Sequence, residues 1–283
     1  MAFVGTIVRI FTHFDGAPMD VRPALASDYD GYARLFPLLE VPDPVPTREK
    51  FVGTLMPDSL VAVEGDDVVG VVWARRRGDR LHVVHLIVDA SRRRLGIGRA
   101  LMNAAAARAR SLDLTRWMLN VKPENTAARA LYEASGMAET MSAVSLRLSW
   151  ASLQLLPESS PDVVLTPLGD DGRYEAMEKL GLARGELAAM RALPGRVFFG
   201  ADLRGEPVGV MGFDAAFPGA SPFRVTDPSH AAVLLASARP LARHGHLHVF
   251  VEGDTNLEAT LMTAGAIVTL RTLRMEGSVP ALS

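Results

Sequence analysis

Apolar and polar residues follow two periods along the first half of the chain, and together they predict strands interleaved with helices. Alternation with a period of two predicts strands, whereas apolar residues three or four positions apart predict amphipathic helices. In the segment 98–112, Leu101, Ala104, Ala105 and Leu112 recur at helical spacing. In chain order the pattern predicts a strand at 20–23, a helix at 27–39, strands at 59–63, 68–75 and 81–88, and the helix at 98–112.

The second half repeats this order after a polar, proline-bounded segment at 155–161 that has the composition of an interdomain linker. When Gly265 is placed on Gly136, the helical segments of the two halves align without a gap. The chain therefore contains an internal repeat. The predicted elements of the second half are a strand at 163–168, a helix at 173–182, a hairpin at 196–213 and a strand–turn–helix unit at 247–266.

The amino-acid composition excludes several classes of protein. The 283 residues are 48% hydrophobic with a net charge of −2, and neither half has the basic excess of a nucleic-acid binder. The absence of cysteine excludes disulfides, thiolate metal sites and a cysteine nucleophile. No apolar run reaches the ~18 residues of a membrane span, and the first residues lack the features of a signal peptide. We expect a cytoplasmic enzyme, with no nucleic-acid or membrane partner, that could form a homodimer.

A glycine- and arginine-rich turn follows the strand predicted at 81–88 and leads into the next helix. Gly96 and Gly98 allow close approach of the backbone, and arginines at 92, 93, 94 and 99 surround them. The free N–H groups at such a helix start favour a phosphate. Two phosphate-binding patterns fit poorly: the Walker loop needs Lys and Ser or Thr after its glycine, and the dinucleotide fingerprint needs Gly or Ala where Leu101 stands.

The turn instead resembles the pyrophosphate loop of the GNAT acetyltransferase superfamily, whose pattern is Arg or Gln, two residues, Gly, one residue, and then Gly or Ala. Arg93, Gly96 and Gly98 match this pattern and follow Val88 and Asp89. The segment 119–137 resembles the family's fifth strand and the helix after it. Its matching residues are Asn125, Ala128, Leu131, Tyr132 and Gly136. The resemblance covers roughly residues 20–148.

The resemblance implies an α/β (α+β) fold of two tandem GNAT-like domains. Each would have a mixed, mostly antiparallel sheet flanked by helices, with strands four and five splayed in the first domain. The segment after Asp227 has no glycine pair, and Leu261 stands where Tyr132 stands, so the second domain is expected to be degenerate. The predicted segments are an N-terminal extension (1–18), a catalytic domain (19–150), a linker (151–162) and the degenerate domain (163–283).

The implied activity is transfer of an acetyl group from acetyl-CoA to a primary amine by direct attack in a ternary complex. In the family the pantetheine arm lies between strands four and five, which assigns Leu86, Ile87 and Val88 to it, with the Val88 N–H as oxyanion donor. Tyr132 would protonate the leaving thiolate, and Asn125 would bind the pantetheine arm. The remaining expected cofactor contacts are Arg93, Arg94, Leu95, Gly96, Ile97, Gly98, Arg99, Ala100 and Ala128.

The general base is left open between two histidines. The family often places a Glu eleven residues before the loop arginine, and here that position holds His82. A histidine, with its ordinary pKa of about 6.5, can accept a proton near neutral pH. His85 is the rival, and regular alternation would put the two side chains on opposite faces unless a β-bulge intervenes.

Alternatives remain for the function as a whole. The chain could be a non-catalytic CoA sensor or scaffold, although the intact Tyr132 and Asn125 argue against this. The acceptor could also be a protein N-terminus, because 125–137 resembles the ribosomal-protein acetylases. His244, His246 and His248 alternate along a strand, but no carboxylate is spaced to complete a metal site, so no metal is expected.

Overall fold

The computed structural model describes residues 12–14, 17–41, 43–169, 173–193 and 195–281. Most of the predicted extension at 1–18 lies outside these residues. The described chain forms thirteen strands: β1 (Thr12–Phe14), β2 (Ala17–Pro23), β3 (Ser59–Glu64), β4 (Asp67–Arg77), β5 (Arg80–Val88), β6 (Arg116–Val121), β7 (Met137–Ser149), β8 (Val163–Pro167), β9 (Arg196–Leu203), β10 (Glu206–Asp214), β11 (Gly219–Val225), β12 (His246–Glu252) and β13 (Ile267–Ser278).

Eight α-helices of the described chain lie between groups of these strands. They are α1 (Tyr29–Leu35), α2 (Arg48–Lys50), α3 (Ile97–Ser111), α4 (Thr126–Ala134), α5 (Tyr174–Glu178), α6 (Glu186–Arg191), α7 (Ala231–Ala236) and α8 (Thr255–Thr263). A 3₁₀ turn at Phe36–Leu39 extends α1, and a π-helical turn at Phe51–Leu55 extends α2.

The described residues divide into two compact units. The first contains the chain up to Arg76, then Arg80–Thr140 and the residues from Met275 onward, and the second contains Arg77–Asp79 and Met141–Arg274. The strands β7 and β13 therefore each contribute one end to each unit.

The sheet of the first unit runs in the order β1, β2, β3, β4, β5, β6 and the C-terminal end of β13. Neighbours from β1 to β4 are antiparallel, whereas β5 and β6 are parallel. Helices cover both faces. Val71 packs in a cluster with Tyr32 of α1, while a Cβ on the adjacent Gly70 would lie 3.0 Å from Leu101 of α3.

The second unit has the same plan, in the order β13, β7, β12, β11, β10, β9 and β8. Among the pairs from β7 to β8 in this order, the one parallel pair is β11 with β12, which corresponds to β5 with β6. A single cluster of buried side chains from β7, β10, β12, α7 and α8 forms its main core.

Local details confirm the internal repeat. Asn125 caps the nine-residue helix α4 by accepting the N–H of Ala128, and Asp254 caps the nine-residue α8 by accepting the N–H of Leu257. Each helix ends before a glycine with positive φ, Gly136 at 83° and Gly265 at 91°. The expected tandem arrangement of two mixed sheets flanked by helices is therefore confirmed.

One predicted helix is shorter than expected. The pattern at 173–182 yields only α5, and the chain then turns through Gly181 and Gly185, both with positive φ, before a further helix, α6, which the sequence pattern did not predict. Glycine readily adopts such backbone angles, so the two glycines lie in the turn that separates α5 from α6.

Candidate active site

β5 and β6 separate toward their C-terminal ends. Their parallel pairing runs from Arg80 opposite Arg116 to Val83 opposite Leu119 and stops there, although β5 continues to Val88. The expected splay of these two strands is therefore present. Leu86, Ile87 and Val88 lie on the part of β5 that has lost its β6 partner, with Ile87 buried and the other two half-buried.

The glycine-rich turn closes the wide end of this gap and starts α3. Gly96 is the N-cap, in the left-handed region with φ of 81°, and Arg94 has φ of 67°. Helix geometry leaves the N–H groups of Gly96, Ile97, Gly98 and Arg99 without partners inside the helix. The Ala100 N–H, by contrast, already donates to the Gly96 carbonyl at 3.0 Å. Of the predicted loop donors, those preceding Ala100 are thus the ones open to an anion.

Gly98 lies where three elements meet. A Cβ there would come within 3.0 Å of Leu131 Cδ2 on α4 and 3.9 Å of Val88 Cγ2 on β5. The Leu131 side chain would have to shift to accommodate a Cβ, so glycine suits this close approach and adds no side chain beside the backbone N–H groups. The residues present therefore fit a pyrophosphate at this helix start.

The arginines of the loop have different surroundings. Arg93 reaches back to the strand, with Nε donating to the Val88 carbonyl at 3.4 Å, and Arg92 pairs with Glu64 at 2.8 Å. Arg94 and Arg99 are exposed, Leu95 is half-buried and Ile97 is buried against the sheet. The turn thus combines exposed, charged side chains with apolar side chains that are partly or fully buried.

Asp89 fixes the entry to the loop. Its carboxylate accepts hydrogen bonds from Arg34 at 2.5 Å and from the backbone N–H of Ser91 at 3.0 Å. The Arg34 guanidinium and Ser91 lower the pKa of the Asp89 carboxyl to about 2. Arg34 also donates to the Val68 carbonyl at 2.8 Å. Sequence reasoning missed Arg34, because nothing local in α1 indicates that its side chain reaches the loop.

Asn125 and Ala128 are tied to each other. The Asn125 side-chain oxygen accepts the Ala128 N–H at 3.1 Å, which leaves the carboxamide nitrogen as the remaining donor of that side chain. Asn125 therefore acts as a helix cap whether or not it also binds a ligand.

Tyr132 lies inward on α4 with 7% of its surface exposed. Burial raises the pKa of its hydroxyl to about 12, so it remains protonated throughout the neutral range. Among the described residues no hydrogen-bond partner is found for this hydroxyl.

β5 carries one residue more than β4 over their shared length. Since β4 ends at Arg77 and β5 begins at Arg80, regular pairing back from the turn would set Val69 opposite Val88. Instead the Asp89 N–H donates to the Val69 carbonyl at 2.9 Å. This shift by one residue indicates a β-bulge in β5.

Ring contacts limit where the bulge lies. The shifted register sets His85 opposite Trp73, and their rings lie 5.0 Å apart between centroids. The register has therefore already shifted at His85, so the bulge lies between the turn that follows β4 and His85. The Arg75 guanidinium lies 5.5 Å from the Trp73 ring centroid, as expected of two side chains on one face of β4.

His85 lies in an aromatic cage. Besides Trp73, the Phe36 ring packs edge-on at 5.5 Å, and the Tyr32 hydroxyl lies 3.5 Å from Nδ1. Burial, together with the nearby charges of Arg75 and Lys50, lowers the pKa of His85 to about 4. The ring is therefore neutral at neutral pH.

The corresponding gap in the second unit is bridged by side chains. β11 and β12 pair only from Gly219 opposite His248 to Ala220 opposite Val249. Beyond that point Arg224 of β11 donates to Glu252, the last residue of β12. Leu261, fully buried, occupies the helix position that Tyr132 has in α4.

Glu252 is the centre of a buried charge cluster in the second unit. Its side chain is 1% exposed and also accepts a hydrogen bond from Arg274. Burial alone would raise the pKa of this carboxyl, but Arg77, Arg224 and Arg274 lower it below its usual value. Removing any one of these arginines would be costly, because it would leave part of the buried Glu252 charge uncompensated.

The part of the chain that the structure describes contains no cluster of three or more His, Asp or Glu residues that could hold a metal ion. None of its helices is both long and apolar enough to cross a membrane.

Comparisons with known proteins agree with this geometry. Residues 29–137 match the model of the acetyltransferase (GNAT) family. A mycothiol acetyltransferase from Clavibacter michiganensis subsp. michiganensis is 35% identical over 102 residues, which are 35% of this chain and 32% of that protein. The matched segment thus spans about a third of the length of this curated relative.

Two solved structures share the fold over nearly the whole chain. A GCN5-related N-acetyltransferase from Sphaerobacter thermophilus has a TM-score of 0.62 at 14% identity, with 94% of this chain and 97% of that one covered. A tandem GNAT protein from the clavulanic acid biosynthesis pathway has a TM-score of 0.62 at 18% identity, with coverage of 94% and 100%. At these identities the likeness concerns the fold.

Proposed function

We propose, from the premise that residues 29–137 belong to the acetyltransferase (GNAT) family, that the first unit transfers an acetyl group from acetyl-CoA to a primary amine. The observation that carries this proposal is the gap between β5 and β6, which has the glycine turn at its wide end and Tyr132 on the helix that follows β6. An open strand edge beside free helix N–H groups suits an extended pantetheine arm with a pyrophosphate at its end.

The reaction proceeds by direct attack in a ternary complex. The amine nitrogen attacks the thioester carbonyl carbon, the carbon–sulfur bond breaks, and CoA leaves as a thiolate. The Val88 N–H stabilises the oxyanion that develops on the carbonyl oxygen. Leu86, Ile87 and the Asn125 carboxamide hold the pantetheine arm, and the backbone from Arg93 to Arg99 holds the pyrophosphate.

His82 is proposed as the general base that accepts the amine proton, directly or through a water molecule. One observation favours it over His85: the lowered pKa makes His85 a weak proton acceptor.

Tyr132 is proposed to supply a proton to the departing thiolate. A phenol with a pKa of about 12 holds its proton more tightly than a thiol with an ordinary pKa of about 8.5. Transfer becomes possible because the thiolate forms in the same apolar surroundings, where desolvation raises its proton affinity as well.

The second unit is proposed to have a structural role and no CoA site. The Arg224–Glu252 pair occupies the space between strands where the first unit is open, and Leu261 provides no proton. We propose that the catalytic domain (19–150) and the degenerate domain (163–283) are joined by the linker at 151–162, that the protein acts in the cytoplasm, and that no metal takes part.

The acceptor is proposed to be a small-molecule or peptide amine. The likeness to a mycothiol acetyltransferase favours a small molecule, whereas the likeness of 125–137 to ribosomal-protein acetylases favours a protein N-terminus. The experiment is an acceptor screen with acetyl-CoA in which free thiol is measured. Release of thiol that depends on an added amine supports the enzyme, and tight CoA binding without thiol release for any amine class supports the sensor or scaffold.

A further inference from the structure

A buried hydroxyl with a single partner fixes the proton on His85. Tyr32 is fully buried, and among the described residues its hydroxyl contacts only His85 Nδ1, at 3.5 Å. Burial raises the pKa of Tyr32 well above its ordinary value, so the hydroxyl keeps its proton.

The Tyr32 hydroxyl is therefore the donor of this pair. A buried O–H without an acceptor costs more than an unfilled lone pair on a phenol oxygen, because a phenol has one proton to place but two lone pairs. With Nδ1 accepting that proton, the neutral ring carries its own hydrogen on Nε2. His85 thus has no free lone pair with which to accept a proton from an amine.

The Nε2–H of His85 has no hydrogen-bond partner among the described residues. It belongs to a ring that lies beyond the last β5–β6 pair, three residues before Val88. Phe36 and Trp73 flank the ring on two sides. Their surfaces are apolar except for the indole nitrogen of Trp73. A fixed donor between apolar walls suits a ligand oxygen attached to an apolar group.

We propose that the acyl acceptor is a primary amine that bears an oxygen acceptor next to an apolar group, and that His85 recognises this oxygen through Nε2–H while Tyr32 on α1 holds the imidazole in that tautomer. This assignment deepens the proposed function and rests on it. His85 acts as a specificity-determining residue, and Tyr32 acts as a positioning residue.

The first test determines the tautomer of His85 in the absence of substrates. Long-range ¹H–¹⁵N spectra of the full-length protein with labelled histidine, at neutral pH, report which ring nitrogen carries hydrogen. We expect the Nε2–H form for His85 in the wild type and a mixture of forms in Tyr32→Phe. An Nδ1–H form in the wild type overturns the assignment, as does a spectrum unchanged by Tyr32→Phe.

The second test measures recognition of the oxygen. Phenylalaninamide and 2-phenylethylamine share an amine and an aromatic ring and differ by the carboxamide. Calorimetry with the full-length protein saturated with CoA should give roughly 10-fold tighter binding of the amide, the size expected of one hydrogen bond to a partly buried donor. His85→Ala should abolish this preference, and His85→Gln, whose amide N–H replaces the donor, should keep most of it.

The outcomes separate this inference from the proposed function. Equal affinity of the two amines in the wild type, no measurable binding of the amide, or an unchanged preference in His85→Ala overturns the inference even if acetyl transfer occurs. A preference that depends on His85, without thiol release from acetyl-CoA for any amine, supports the inference and overturns the proposed transfer.

Discussion

Asp227 of the second unit is the structural counterpart of Asp89 in the first. Each carboxylate accepts the N–H of the serine two residues later, Ser229 at 2.8 Å and Ser91 at 3.0 Å, and each precedes a 3₁₀ turn. Only Asp89 is followed by the glycine pair, and it also pairs with Arg34. Both units have therefore kept the turn, whereas the glycine pair and the contact with an arginine are found in the first.

This pair gives a matched test of the loop. Asp89→Asn removes the charge that pairs with Arg34, so the loop loosens and we expect the Kd of CoA to rise several-fold, the effect of losing one charge-assisted hydrogen bond. Asp227→Asn should leave the Kd unchanged. Because the folded-state pKa of Asp89 is lowered to about 2, its contribution is complete above about pH 4 and is lost as the pH falls toward 2. Equal effects of the two substitutions would contradict this role.

Gly98→Glu should abolish CoA binding. The new side chain would place bulk within 3.0 Å of Leu131 and negative charge at the helix start proposed for the phosphates. Gly245→Glu adds the same charge at an exposed position of the second unit where a Cβ meets nothing within 4 Å, and it serves as the control. Calorimetry should find one CoA site per chain in the wild type and none in Gly98→Glu. Two sites per chain, or an unchanged affinity, would count against the proposal.

Tyr132→Phe should lower kcat by ~100-fold and leave CoA affinity nearly unchanged, as expected when a proton donor is lost without a loss of packing. Because the pKa of Tyr132 is about 12, its hydroxyl should cause no alkaline loss of activity below about pH 10. Tyr174→Phe in the second unit is the control and should have wild-type kcat. Full activity of Tyr132→Phe would remove this residue from the mechanism.

His82→Gln should flatten the acid limb of the kcat/KM profile. If His82 accepts the amine proton, activity rises as the pH passes the range in which histidines ordinarily titrate, about 6.5, because only the neutral imidazole is a base. His85→Gln is the control and should keep that limb, since His85 is already neutral there. The base would have to be reassigned if the limb disappeared in His85→Gln and persisted in His82→Gln.

A fragment of residues 19–150 should be aggregation-prone or weakly active. It lacks the end of β13, including Glu276, which pairs with Arg80 at 3.1 Å and Arg116 at 3.3 Å within the first unit. Loss of that strand leaves β6 as an uncovered edge.

Light scattering and thiol-release kinetics of the fragment check this expectation, and addition of a peptide spanning residues 267–281 should reduce the aggregation. A soluble, monomeric fragment with wild-type kinetics would show that the second half of the chain is dispensable.

Features encoded by neighbouring residues could be predicted from the sequence. The glycine turn before α3 depends on interactions within a few residues, and the helices α4 and α8 follow from the alignment of Gly136 with Gly265, so local spacing was sufficient. The family resemblance added the separation of β5 and β6.

Features that depend on distant partners could not be predicted. The bulge in β5 follows from its register with β4, and Arg34 reaches Asp89 from a helix more than fifty residues earlier in the chain. The cage around His85 likewise combines Phe36 of the turn after α1 with Trp73 of β4. Such contacts arise only when the tertiary structure forms, and no periodicity in the sequence encodes them.

The position of the last strand has a consequence for biosynthesis. Residues from Met275 onward belong to the first unit, so the sheet that carries the glycine turn is incomplete while the ribosome is still translating the second half. Domains ordinarily fold one after another from the N-terminus as they emerge. Here the β6 edge of the nascent first unit stays unpaired until the C-terminal segment has been synthesised. A chaperone that covers exposed strand edges would therefore be most useful during this interval.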